Sequence, residues 1–169
     1  MLAGSQHLYR YAHENPVFKF YPTSYTNDVA VIRKLPRFVS INSALEVDLT
    51  GQVNAETLDG IQISGVGGQA DWVRGALSSQ GGMSIIALTS TAQRGSKSKI
   101  VPYLGYGSVV TTPRYDVDFV VTEYGIASLK GKSLMQRAEA MSAIAHPDFR
   151  DQLLKSYKEA YKKRCILDA

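Results

Sequence analysis

The chain has 169 residues, 44% of them hydrophobic and 20% charged, enough for one substantial core and short for two. No run of about 18 apolar residues is present to span a bilayer, and the opening MLAGSQHLYR lacks the basic flank and apolar block of a signal peptide. A soluble, cytoplasmic protein is the expectation, and membrane partners are not expected. The net charge of +4 is densest at Lys155, Lys158, Lys162, Lys163 and Arg164, interleaved with Glu159 and apolar residues at helical spacing. That is the pattern of a solvated helix face, and without a reading motif it gives no case for nucleic acid; a modest positive field also suits an anionic substrate. Cys165, the single cysteine, has no partner for an internal disulfide, fits a reducing compartment and reads as a bystander.

In chain order, Gly4 to Glu14 carries Leu8, Tyr11 and Ala12 at helix spacing until Asn15-Pro16 stops it. A short alternating strand is expected over Phe18 and Phe20, then a helix capped by Thr26 or Asn27 over Val29, Ile32 and Arg33, ended by Pro36. Residues 38–53 alternate through Val39, Ile41, Leu45, Val47 and Leu49, which predicts one or two half-buried strands bent or turned at Gly51. A helix over ADWVRGALSSQ follows a glycine-rich segment and is closed by Gly81-Gly82. SIIALTST, residues 84–91, reads as a strand covered on both faces, 92–98 as a polar loop, and KIVPYL and SVVTTP as two further strands. DVDFVVTEYG gives another strand. Two helices finish the chain, one from Ser133 with Gln136 in capping-box position and one with Pro147 in its first turn. The order implies a single α/β domain with a mixed, largely parallel sheet flanked by helices, an α+β arrangement remaining open.

The segment with most chemical content is SGVGGQADWVRGA, residues 64–76, where three glycines in four positions precede an acid and a helix. Glycine admits positive φ and lets backbone N–H groups approach a ligand, and such amides at a helix start suit a phosphate or an oxyanion. Alone the loop reads first as a tight strand-to-helix turn. It lacks the dinucleotide spacing and the P-loop lysine.

Four colinear blocks add to it: SYTNDVAVIRKLPRFVSINSALEVDLTGQVNAE (24–56), GGMSIIALTSTAQRGSKSKIVPYL (81–104), VTTPRYDVDFVVTEYGIASLKGKSLMQRA (110–138) and AHPDFRDQL (145–153). Together they resemble the acetyl-CoA hydrolase/transferase family, which includes 4-hydroxybutyrate CoA-transferases, over nearly the whole chain. The resemblance implies that residues 1–169 are the C-terminal domain of a CoA-transferase or acyl-CoA hydrolase. It also implies ping-pong transfer of CoA between short-chain acyl groups through a glutamyl-CoA thioester, a carboxylate nucleophile dividing the exchange into easier steps. CoA or acyl-CoA is then a substrate, no tightly bound cofactor or metal is implied, a small carboxylate is the acceptor, and a homodimer is the family expectation. The family's nucleophile lies in a segment similar to G-I-H-[ST]-E-M, upstream of this sequence. Glu14, Glu46 and Glu123 do not match it, so no catalytic nucleophile is assigned within the chain, and the missing N-terminal domain is expected to supply it.

By the same resemblance Gly67 and Gly68 face the thioester as backbone donors, Gly65 allows the bend, and Val66 lines the acyl or pantetheine side. Asn42, in SINSALE, matches an asparagine near the reacting carboxylate, where its amide orients an anion or binds the carbonyl oxygen; a strand-end turn is the other reading. Gln69 and Asp71 either cap the following helix or contact substrate. Met83 departs from the family's G-G-K-S-I-I-A-L pattern, leaving Lys97 or Lys99 to hold the CoA phosphates, unless both are ordinary loop charges. Glu123, Tyr124 and an Arg114–Asp116 pair read as scaffolding, and His146 as part of a capping junction with Pro147 and Asp148. Trp72 reads as core or interface, and His7 and His13, six apart, have no metal-ligand spacing.

Overall fold

The computed structural model describes residues 2–167, with side chains through residue 162. Helix α1 (Gln6–Ala12) starts where the Ser5 side chain accepts from the Leu8 N–H. No helix or strand follows until residue 23. The strand expected over Phe18 and Phe20 is absent: Phe18 packs edge-on against Tyr11 at 5.6 Å and Phe20 is left exposed, with no neighbouring strand to pair. The single helix expected next is two short ones, α2 (Thr23–Thr26) and α3 (Val29–Ile32). Asp28 is the cap of α3, its carboxylate accepting from the Ala30 N–H at 2.7 Å, while Asn27 ends α2 as its C-cap and donates its amide to Asp71.

Strands β1 (Val39–Ser43), β2 (Glu46–Asp48) and β3 (Val53–Asn54) follow. Gly51, at φ +94°, turns β2 back on β3 as expected, and the buried Asp48 carboxylate holds that turn by accepting from the N–H groups of Thr50 and Gln52 and from both their side chains. Asp59-Gly60, both at positive φ, join β4 (Thr57–Leu58) to β5 (Ile61–Gln62) in a two-residue hairpin. Helix α4 (Gln69–Ser78) lies where the sequence put it, and strand β6 (Met83–Ala87) takes the first half of the strand expected over 84–91, its Met83 and Ile85 left unburied. The expected loop at 92–98 contains a small hairpin, β7 (Thr91–Ala92) and β8 (Lys97–Ser98), around a 3-10 turn. Strand β9 (Ile100–Val101) forms, but SVVTTP contributes only a single bridge, Val53 to Thr112, in place of a strand. Strands β10 (Phe119–Thr122) and β11 (Gly125–Ser128) make a hairpin. Helix α5 (Leu134–Ala143) carries the full capping box between Ser133 and Gln136, and α6 (Pro147–Leu167) closes the described chain. Lys155, Lys158 and Lys162 are exposed along α6; Lys163, Arg164 and Cys165 fall outside the described side chains.

The main sheet has the order β1-β6-β10-β11, parallel at its first two junctions and antiparallel at the third; a smaller sheet has the order β3-β2-β9. This is the mixed, largely parallel sheet with flanking helices that the sequence implies. The inner face of the main sheet, through Ile86, Val120 and Ala127, meets Val47 and Leu49 of the β2 segment and Met141 of α5 in one buried core, closed by Leu153 and Tyr157 of α6.

Strand β1 corrects the alternation argument. Ser40 is 4% exposed whereas Ile41 is 67% exposed, so its polar set faces inward and its apolar set outward. The small Ser40 and Ser84 lie on the covered side, where α4 packs across β1 and β6.

Candidate active site

Helix α4 connects β1 to its parallel neighbour β6, so it runs back across the sheet and its N-terminus lies at the carboxyl end of the strands. Open α/β sheets bind ligands at that rim. The loop entering α4 turns at Gly67, whose φ is +57°, a left-handed value glycine adopts without strain. Gly68 is the N-cap and no side chain caps the helix. The N–H groups of Gly67 and Gly68 have no acceptor among the described residues. With the positive end of the α4 dipole behind them, they form a donor pair open to an anion or oxyanion. Neither Gln69 nor Asp71 caps the helix by a side-chain bond: the Gln69 amide donates to Thr112 Oγ1 at 2.9 Å, and Asp71 accepts from Asn27.

Asn42 is the penultimate residue of β1, at the same rim. Its Nδ2 donates to Ser40 Oγ at 2.7 Å, which fixes the amide and leaves the carbonyl oxygen without a donor among the described residues. A groove of about 320 Å³ along β1 is lined by Phe38, Ser40, Asn42 and Trp72, and a second hollow is lined by Asn27, Gly67, Gly68 and Asp71. Trp72 lies in the first and beside Gly68 of the second. Its ring stacks on Phe38 at 5.8 Å, and its Nε1 lies so close to Gly68 that a Cβ there would be 2.7 Å away. Gly68 thus lies against the indole that lines the Asn42 groove, while Gly65 and Gly67 stand in open space and Val66 is half exposed on the same loop.

Lys97 and Lys99 are not part of that group. They line a separate cleft of about 370 Å³ with Glu46, Asp59, Tyr103 and Tyr106. Lys97 is tied to Asp59 at 3.0 Å, and that hydrogen bond and charge push its ammonium pKa up. Lys99 is half-buried, and desolvation pulls its pKa down while the charge of Glu123 opposes the shift. Glu123 follows β10 at the rim, its carboxylate accepting from the Ser90 N–H at 2.8 Å and Ser90 Oγ at 2.6 Å. The Ser90 side-chain bond chiefly holds Glu123 below the usual carboxylate range. The Ser90 carbonyl in turn accepts from the Lys99 N–H. Lys99, Ser90 and Glu123 thus make a second polar cluster at the rim, bordered by Tyr124, with His146 edge-on at 5.3 Å and the Arg150 guanidinium 5.5 Å from the Tyr124 ring centre.

Arg114 and Asp116 do not pair. Arg114 donates to Gln52 and Asp116 meets Arg74, because the short 3-10 turn carrying them points them to opposite neighbours. His146 acts in a capping junction, its Nδ1 accepting from the Asp148 N–H. Among the described residues no group of His, Cys, Asp and Glu is arranged to hold a metal ion, and no helix is long and apolar enough to cross a membrane. Trp72 and Ser90 are the residues whose place at the rim the sequence did not disclose. Ser90 is 33 positions from the carboxylate it holds, and no local spacing links them.

The model of the acetyl-CoA hydrolase/transferase C-terminal domain matches residues 4–157. The chain is 50% identical over 160 residues to the 4-hydroxybutyrate coenzyme A transferase of Clostridium kluyveri, covering 95% of this chain and 37% of that protein. It is 48% identical to the butyryl-CoA:acetate CoA-transferase of Anaerostipes caccae, over 94% of this chain and 36% of the relative. Among solved structures, RipA from Yersinia pestis superposes with a TM-score of 0.87 at 45% identity, over 94% of this chain and 36% of that one. The 4-hydroxybutyrate CoA-transferase of Porphyromonas gingivalis superposes at 0.76 and 48%, over 95% and 35%. The chain therefore spans little more than a third of the relatives it matches. With a family model covering most of its length and a fold shared with the solved relatives, the chain belongs to the acetyl-CoA hydrolase/transferase C-terminal domain family.

Proposed function

We propose that this chain is the C-terminal domain, residues 1–169, of an enzyme that transfers CoA between short-chain acyl groups of the 4-hydroxybutyrate or acetate kind. The observation that carries the reading is the pair of unengaged N–H groups at Gly67 and Gly68, the second of them against the Trp72 indole that also lines the groove of Asn42. A carboxylate arriving at this rim attacks the acyl-CoA carbonyl, and the Gly67 and Gly68 donors take the developing oxyanion. The CoA thiolate leaves and a mixed anhydride remains. Attack of that thiolate on the glutamyl carbonyl frees the first acid and leaves glutamyl-CoA, from which the sequence runs in reverse with the acceptor carboxylate. Asn42 orients the carboxylate, and Val66 and Gly65 border the acyl or pantetheine arm. For the CoA phosphates, Lys99 has the stronger claim, since Lys97 already has Asp59 as counter-ion.

The attacking glutamate comes from the preceding part of the enzyme, which works in the cytoplasm as a homodimer with CoA as substrate and no resident cofactor. Hydrolysis is the second reading, since only access of water to the glutamyl thioester separates it from transfer, and an acetyl-CoA hydrolase of Yarrowia lipolytica is among the relatives. One test is an assay of this chain alone with acetyl-CoA and a carboxylate acceptor. No turnover is expected, and turnover at an ordinary enzymatic rate would place a nucleophile within the chain. In the full-length enzyme, Gly67→Val is expected to lower kcat by about a hundredfold or more, the usual effect of losing an oxyanion donor; unchanged kcat removes the loop from the reaction. Calorimetric binding of CoA without turnover in the full-length enzyme would make it a CoA-binding protein instead.

A further inference from the structure

The pairing register assigns every strand residue of the main sheet to one of its two faces. Ser40, Ser84, Ile86, Val120, Thr122 and Ala127 share one, and all are buried. Val39, Ile41, Met83, Ile85, Val121 and Ile126 share the other, and none is buried: Val39 is 42%, Ile41 67% and Ile126 68% exposed. No charged residue stands on this face in any of the four strands. Sheets with parallel strands are covered on both faces almost without exception, because the strands are apolar on both. An uncovered apolar face of this extent marks an interaction surface.

The surface runs on to the outer edge of β1. Met83 N–H donates to the Phe38 carbonyl, so residues 38, 40 and 42 direct their backbone groups to β6, and those of Val39, Ile41 and Ser43 point away from it. Among the described residues nothing pairs with them. An open parallel edge beside an open apolar face is what remains when the neighbouring layer of a three-layer α/β sandwich is taken away.

We propose that the layer covering this face and the free edge of β1 is supplied by the preceding portion of the same enzyme. The chain spans only 37% of its Clostridium kluyveri relative, and the matching family model is that of a C-terminal domain, so the larger part of the polypeptide lies outside the structure and ahead of it. The β1 edge ends at Ser43, next to Asn42, so a parallel strand laid along it ends beside Asn42 at the carboxyl rim. The inference rests on the proposed function for that last point: the rim is where such a strand delivers a carboxylate.

The test uses the full-length enzyme, this chain joined to the preceding portion of the Clostridium kluyveri relative. Every variant carries Cys165→Ser and one new thiol, at Ile41→Cys, Ile126→Cys or, as an exposed control on α6, Lys158→Cys. Thiol labelling of Ile41→Cys and Ile126→Cys is expected to be slower than that of Lys158→Cys by about a hundredfold, the protection of a site reached only by local opening, and to stay so on dilution. Equal labelling at all three positions overturns the proposal, and protection that vanishes on dilution assigns the face to a second copy and overturns it too. CoA transfer is read on the same samples. Protection without transfer leaves the interface standing and sinks the functional reading, and transfer with unprotected thiols does the reverse.

Discussion

At the residue scale, the two central glycines of the rim loop are needed for different reasons, and substitution separates them. A Cβ at Gly67 meets nothing within 4 Å, so Gly67→Ala carries only the strain of a left-handed φ, about 1 kcal/mol. A Cβ at Gly68 falls 2.6 Å from Asn27 Nδ2 and 2.7 Å from Trp72 Nε1, so Gly68→Ala must displace the indole from the groove it shares with Asn42. Trp72 fluorescence, the single tryptophan signal, is expected to shift for Gly68→Ala and to hold for Gly67→Ala; a shift in neither would separate Trp72 from the loop. Glu123 gives a pH test. Its folded pKa lies below the usual carboxylate value of about 4.3, so its contribution is present above that value and is lost as pH falls through the folded one. Glu123→Gln should lower the melting temperature in the neutral range and so flatten its fall below about pH 4, where the two proteins converge. The loop was legible because glycine and the family blocks coincide there. Trp72 and Ser90 were not, because their contacts join segments distant in sequence, and periodicity carries no information about such pairs.

Among the elements, those marked by a capping signal or an apolar run were readable, and the short polar ones were not. The capping box at Ser133 and Gln136 is closed within four residues, and it stands in the structure as the sequence predicts. Ser133→Ala should lower stability by about 1 kcal/mol in denaturant melts, and an unchanged midpoint would show the box to be idle. The β7–β8 hairpin pairs only two residues on each side, with small or polar side chains, and had no pattern to betray it. Phe18 and Phe20 had the pattern but no strand to pair with. Gly75, inside α4, sets two local rules against each other. Replacing glycine by alanine in a helix gains about 1 kcal/mol of propensity. Here, however, the new Cβ would come within 2.5 Å of Ile32 Cγ2, and Ile32 is 1% exposed with no room to retreat. Overpacking costs about 1–3 kcal/mol, so Gly75→Ala is expected to destabilise the protein, and a raised melting temperature would mean that α3 and α4 part easily.

Across the whole molecule, β1 shows why the sequence could predict a sheet but not its surroundings. Alternation identifies a strand and two faces; which face meets a core depends on what else is present. The apolar set Val39 and Ile41 reads as the buried one, yet the small Ser40 and Ser84 lie beneath α4, and the apolar set is left outward. The pattern describes the sheet with its second layer in place. Stability of the structure described therefore rests on the other face, where α6 closes the core through Tyr157. That side chain is 1% exposed and stacks on Tyr103 at 5.5 Å. Burial pushes the Tyr157 phenol up from its ordinary value. A raised phenol pKa leaves its contribution intact below the unfolded value of about 10 and removes it as pH rises through the folded one. Alkaline unfolding should begin above about pH 10, and Tyr157→Phe should move that onset upward with little change near neutrality. Thermal melts at a series of pH values measure it. An onset that Tyr157→Phe does not move would place the alkaline weakness in the exposed tyrosines and not in the closure of the core.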